Sequence, residues 1–228
     1  MTSLSALIQT SRAILLDFDG PVCRLFSAVP APGIADKIRS FLLERSAYVP
    51  EPMMAVGDPL VLLRWTGDTA PHLLSEVERI QTDSEIEAAR LAEPTSGAAE
   101  LIRSSGALGR PVVIVTNNST EAVAVYLDRL ALAASITGIS SRIQGRPDLM
   151  KPDSHLVLKG AAIAGQSANA CVLIGDSPTD MLAAKKAGAR CVGYAKRKTR
   201  ISELSDAGAD FVVQSMELVA DIATQVKG

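Results

Sequence analysis

The chain has 228 residues, 47% of them hydrophobic, and a formal net charge of −2 at pH 7. That length allows one substantial core, or a core with a small second domain, and the apolar content excludes general disorder. The charge provides no global attraction to nucleic acid or to an anionic membrane, and no apolar run approaches the ~18 residues of a membrane span.

The opening residues, Met1 to Ser5, lack the basic region and long apolar stretch of a signal peptide. The first clear element is the apolar run Ala13-Ile14-Leu15-Leu16, which predicts a buried strand of the parallel-sheet type. Asp17-Phe18-Asp19-Gly20 follows at once. In open α/β sheets, chemistry sits beyond the carboxyl ends of the strands. Two carboxylates two residues apart there face the same way if the chain stays extended. Unpaired they repel, so a hard divalent cation with oxygen ligands is the natural partner. By itself the tetrapeptide reads equally well as a solvated turn.

The interval from Val22 to about Glu93 is too long for a simple connection. Ile34, Ile38, Phe41 and Leu42 recur at helical spacing, as do Leu73, Leu74, Val77 and Ile80, then Ile86, Ala89 and Arg90. Pro30, Pro32, Pro50, Pro52, Pro59 and Pro71 punctuate the segment. A helix over Ser96 to Ser105 leads to Val112-Val113-Ile114-Val115, a strong buried strand ending in Thr116-Asn117-Asn118-Ser119. Asn118 is the expected N-cap of the next helix, with Glu121 completing a capping box. Thr116 and the amide of Asn117 then face the same edge as the aspartates, beside a helix N-terminus that favours anions.

Lys151-Pro152 comes next, with Pro152 expected to open a helix through Leu156, Leu158 and Ala162. Val172-Leu173-Ile174 predicts another buried strand, ending in Gly175 and Asp176. Its helix has Ser177 as N-cap, Pro178 at the first position, Asp180 at the third and Gly188 as terminator. Asp180 alone could be no more than a capping acid. Cys191-Val192-Gly193 and Phe211-Val212-Val213 predict two further strands. The rhythm implies an α/β fold with a doubly wound parallel sheet.

Taken in order, strand–Asp-x-Asp, strand–Thr, Lys and strand–Asp-x-x-x-Asp resemble the haloacid dehalogenase (HAD) superfamily of phosphatases and phosphomutases. The resemblance covers about residues 12–214 apart from the long interval, and departs from the usual pattern at Pro21, where the family most often has Thr. It implies a Rossmann-like core (residues 1–22 and 93–228) with a small all-helical cap inserted after the first strand (residues 23–92). It further implies a Mg²⁺-dependent phosphatase acting on a small phosphorylated metabolite. Asp17 would be the nucleophile and Asp19 the general acid–base. Thr116, the Asn117 amide and Lys151 would hold phosphoryl oxygens. Asp17, Asp176, Asp180 and the backbone carbonyl of Asp19 would hold the metal.

A phosphomutase would use the same residues. A dehalogenase would need neither Asp19 nor the metal. A receiver domain of the signalling type shares the acidic pocket, Thr and Lys, but the helical insert and the position of the Asp pair on the first strand argue against it. In the cap, Arg64, Trp65 and His72 are the residues to inspect for substrate contacts, although Trp65 fits packing and His72 a helix start equally well. His155 reads as an early-helix surface residue. The basic cluster Lys185, Lys186, Arg190, Lys196, Arg197, Lys198 and Arg200 lacks interleaved aromatics and reads as a solvated face, with nucleic acid not expected as a partner. Cys23, Cys171 and Cys191 form an odd count without zinc-type spacing, which fits structural thiols in a reducing cytoplasm.

Overall fold

A computed structural model describes residues 3–225. Its first elements are helix α1 (Leu4–Thr10), strands β1 (Ala13–Leu16) and β2 (Cys23–Arg24), and helices α2 (Ala31–Glu44), α3 (Glu51–Met54), α4 (Pro59–Thr69) and α5 (Leu74–Leu91). Strand β3 (Glu93–Pro94), α6 (Ala98–Ala107), β4 (Val112–Val115), α7 (Thr120–Arg129) and β5 (Gly138–Ser140) follow. The remainder is α8 (His155–Ile163), β6 (Cys171–Gly175), α9 (Pro178–Ala187), β7 (Arg190–Tyr194), α10 (Arg200–Asp206), β8 (Phe211–Val213) and α11 (Met216–Thr224).

Six strands form one sheet in the order β5-β4-β1-β6-β7-β8, and every adjacent pair is parallel. All four residues of β1 and of β4 are buried, because helices cover both faces of such a sheet. Alternation sorts β1 between two apolar layers. Ile14 and Leu16 join residues of α1, α6, α7 and α11 on one face, while Ala13 and Leu15 join residues of α8, α9 and α10 on the other. The expected parallel α/β core is therefore present.

Helices α2 to α5 lie between β1 and β4 and build a third apolar cluster around Ile34, Ile38, Leu42, Leu62, Leu63 and Val77. Helix α5 is continuous between the layers. Leu74 and Val77 pack in the insert, whereas Ala88 and Ala89 pack in the sheet's first layer. Met150, from the connection after β5, is buried in the insert's cluster.

Several local expectations are corrected. Ser119, not Asn118, caps α7, its side chain accepting from the N–H of Ala122. Asn118 is drawn instead into a buried hydrogen bond with Thr116. Pro152 does not open α8, which begins at His155 with its N–H held by Asp153 Oδ1 at 2.7 Å. Helix α6 starts at Ala98 rather than Ser96. The antiparallel ribbon of β2 with β3, strand β5, and helices α1 and α11 were not anticipated. By contrast, α9 has the expected Ser177 N-cap, which Asp180 completes as a capping box, and ends as expected in left-handed Gly188. Among the described residues no helix is long and apolar enough to cross a membrane.

Candidate active site

Strands β4, β1 and β6 are neighbours, so their carboxyl ends bring Thr116, Asp17 and Asp176 to one edge of the sheet. The N–H of Asp17 continues the ladder by donating to Ile174 O at 2.9 Å. Phe18 then turns into the core, its ring edge-on to Tyr126 at 5.3 Å. That alternation leaves Asp17 and Asp19 facing one cavity. The carboxylate of Asp19 is fixed by the Leu25 N–H, which donates to Oδ1 at 2.8 Å. The turn between them closes through Gly20 N–H to Cys23 O at 2.7 Å and Thr95 Oγ1 to Gly20 O at 2.7 Å.

Gly20 is required at this turn. Its φ is +109°, and a Cβ placed there would lie 2.5 Å from Asp176 Cγ. Gly20→Ala is therefore expected to destabilise the fold by about 1–3 kcal/mol, and to displace Asp176. Thermal denaturation alongside an activity assay checks this; an unchanged melting temperature would refute it.

Lys151 is buried and donates to Asp17 Oδ1 at 2.7 Å, to Val115 O at 3.0 Å and to Asp180 Oδ1 at 2.5 Å. Asp180 combines two tasks, since its Oδ2 accepts from the Ser177 N–H and hydroxyl to complete the cap of α9. Asp17, Asp176 and Asp180 each bring one carboxylate oxygen to within 4.8 Å of the others. The side chain of Asp19 is outside that trio, and the resemblance expects its metal contact through the backbone carbonyl.

The electrostatics follow from three converging carboxylates and one ammonium, which contacts Asp17 and Asp180. Burial, then the charge of Asp180, pushes Asp17 up to about 7 against the pull of Lys151. Burial, then Asp17, Asp180 and Asp19, raises Asp176 well above the usual carboxylate range. Burial pushes Asp19 up to about 6, opposed by the Leu25 N–H. Burial disfavours the charge of Lys151, but Asp17 and Asp180 outweigh it and raise its pKa. Carboxylates outnumber cationic groups in the site, and its converging hard oxygen donors could hold a hard divalent cation.

The phosphate-binding candidates are held on the neighbouring loop. The buried Thr116 hydroxyl donates to Asn118 Oδ1 at 2.9 Å and accepts from the Asn118 N–H at 3.1 Å. The Asn117 side chain clamps the backbone of Lys151 in both directions, Nδ2 to O at 3.1 Å and N–H to Oδ1 at 2.8 Å. Asp17, Asp19, Thr116, Asn117, Lys151 and Asp176 all line a cavity of about 420 Å³, roofed by Phe26, Pro32, Pro59, Leu60, Asp58 and Arg64 of the insert. Asp180 lies buried beneath it. A larger hollow of about 600 Å³ beside α5 and α7 contains none of these groups.

Arg64 is the one inspected insert residue that reaches the site, where its guanidinium donates to Lys151 O. Trp65 and His72 line a separate hollow of about 530 Å³ on the insert. Trp65 packs against the insert's core and His72 is exposed. Arg200 departs from the solvated role expected of the basic cluster, because its Nη2 donates to Asp176 O at 2.9 Å. Glu85 and Arg142, which support the Thr116 loop, also escaped the sequence reading, since no strand edge or motif marks them; Asn118 was read only as a helix cap.

Comparison with known proteins places the chain. It is 33% identical over 76 residues to a Clostridium perfringens protein named for pyrophosphatase activity, PpaX, covering 33% of this chain and 36% of that one. It is 28% identical over 168 residues to phosphoglycolate phosphatase of Caulobacter vibrioides, covering 71% of this chain and 63% of that one. The matches thus span less than two thirds of either relative's own length. The crystal structure of CbbY from Rhodobacter sphaeroides in complex with phosphate shares the fold at a TM-score of 0.65 and 18% identity, covering 91% of this chain and 95% of that one. The model of the haloacid dehalogenase-like hydrolase family matches residues 12–188, and the chain belongs to that family.

Proposed function

We propose that the protein is a Mg²⁺-dependent phosphatase that hydrolyses a small phosphorylated metabolite through an aspartyl-phosphate on Asp17. The observation that carries this reading is the meeting of Asp17, Lys151 and the Asp176–Asp180 pair at the floor of a cavity that Asp19 and Thr116 also line. The substrate phosphate enters against Lys151, Thr116 and the Asn117 amide. Asp17 attacks phosphorus as the bond to the leaving oxygen breaks, and Asp19 gives that oxygen its proton. Water then attacks the aspartyl-phosphate, Asp19 takes the water's proton, and phosphate and free Asp17 result. Asp17, Asp176, Asp180 and the Asp19 carbonyl would hold Mg²⁺, which supplies positive charge opposite the transferring phosphoryl group. Residues 23–92 act as the cap that excludes water from this chemistry.

An acid that donates a proton near neutrality needs a raised pKa, and burial of Asp19 supports that role. The three free, buried cysteines fit the proposed cytoplasmic location. A phosphomutase remains the second reading, favoured by the same residues.

Phosphate release should be measured across a panel of sugar phosphates, nucleoside monophosphates and phosphoglycolate. Turnover is expected with Mg²⁺ and loss of it in EDTA, restored by added Mg²⁺. Isomerised sugar phosphate without free phosphate would move the assignment to a mutase. A single stable phosphorylation without turnover would move it to a receiver-like role.

A further inference from the structure

Glu85 and Arg142 form an ion pair whose side chains are 0% and 3% exposed, outside the catalytic cluster and unused by the chemistry above. Glu85 projects from α5; Arg142 lies two residues past β5. The guanidinium is bidentate on the carboxylate, Nη1 to Oε1 at 2.9 Å and Nη2 to Oε2 at 3.1 Å. The same carboxylate accepts from Gln81 Nε2 at 2.8 Å, Asn118 Nδ2 at 3.2 Å and the Ser119 N–H at 2.8 Å. Arg142 also donates from Nη1 to Asn117 O at 2.8 Å, and from its N–H to Asn118 O at 3.2 Å.

Three successive residues of one loop are therefore pinned by a single ion pair. Its side chains hold Asn117 by the carbonyl, Asn118 by the side-chain amide and Ser119 by the N–H, while the backbone N–H of Arg142 holds the Asn118 carbonyl. The chain of contacts reaches further, because Asn118 Oδ1 accepts from the Thr116 hydroxyl. A buried ion pair is weak evidence for stability, since apolar residues of similar volume often stabilise as well or better. What apolar residues cannot do is fix the direction of amides and carbonyls. The bidentate fork supplies that directionality.

We propose that Glu85 and Arg142 are positioning residues for phosphoryl transfer, holding the Thr116–Asn117 loop in its phosphate-binding geometry from the helix that leads out of the insert. The proposal rests on the phosphatase reading. A misplacement of about 1 Å in such a site costs about 10²-fold.

Two variants test it. Arg142→Lys keeps the charge and loses the fork. Glu85→Met with Arg142→Met removes both charges together and leaves no orphaned ion. Each is expected to unfold cooperatively, at a lower temperature than the wild type because buried groups of the loop lose hydrogen-bond partners. Each should also lower kcat/KM about 10²-fold and weaken product inhibition by orthophosphate, while the Mg²⁺ concentration for half-maximal activity stays unchanged. That last constancy separates a displaced phosphate loop from general loosening of the site. Wild-type kcat/KM and phosphate inhibition in a folded double variant, or in Arg142→Lys if the double variant does not fold, would overturn the proposal alone. A wild-type chain that releases no phosphate in the presence of Mg²⁺ would sink the phosphatase reading and this proposal with it.

Discussion

Asp17→Asn is expected to abolish turnover while leaving the protein folded. The amide cannot attack phosphorus, so no aspartyl-phosphate forms, and the loss should reach the detection limit for every substrate. Stability should not follow activity. Asp17 is buried among Asp176, Asp180 and a single Lys151, and its pKa is raised to about 7 by burial and the charge of Asp180. A carboxyl with a higher pKa folded than unfolded binds its proton more tightly in the native state. Its charge thus destabilises the native state once pH exceeds the unfolded value near 4, with the full effect above the folded value. Removing that charge should leave the melting temperature of EDTA-treated protein at pH 8 unchanged or higher. Retained phosphatase activity in this variant would eliminate Asp17 as the nucleophile. A large fall in melting temperature would show instead that Lys151 depends on Asp17 for its burial.

Asp19→Asn should produce a smaller loss whose size depends on the substrate. The asparagine oxygen can still accept from the Leu25 N–H, so the turn should survive. The expected loss on an alkyl phosphate is about 10²–10⁴-fold, the usual contribution of a general acid–base. It should shrink for p-nitrophenyl phosphate, whose leaving group hardly needs protonation. Hydrolysis of the intermediate still requires a base, so with that substrate a phosphorylated Asp17 should accumulate and be trapped by acid quench. Equal losses for good and poor leaving groups, with no trapped species, would remove Asp19 from proton transfer.

The clustering of the candidate residues at one sheet edge was legible because parallel strands place their carboxyl ends together and because each strand announced itself by a run of buried apolar residues. Asp17, Thr116 and Asp176 follow such runs directly, whereas the capping pattern marks Asp180 only as a helix cap and the family resemblance alone assigns it to the cluster. Strand β5 left no comparable signal. Gly138-Ile139-Ser140 has a single large apolar residue, and its conformation is imposed by pairing with β4. The N-cap was misplaced by one residue because Asn118 and Ser119 are both good caps, and tertiary bonding to Thr116 and Glu85 decided between them. Arg64 and Arg200 illustrate the remaining gap. Each donates to a backbone carbonyl distant in sequence, and such contacts have no periodicity to betray them.

The burial of Met150 within the insert has a mechanical corollary. Its neighbour in the chain is Lys151, whose ammonium holds Asp17 and Asp180. Two adjacent residues therefore anchor in different bodies of the molecule, one in the apolar filling of the helical segment and the other at the sheet edge. Tilting the helical segment away must either withdraw Met150 from its socket or tug the lysine off its carboxylates. The lysine's grip on Asp17 is thus one peptide bond away from the packing of the helical segment above it.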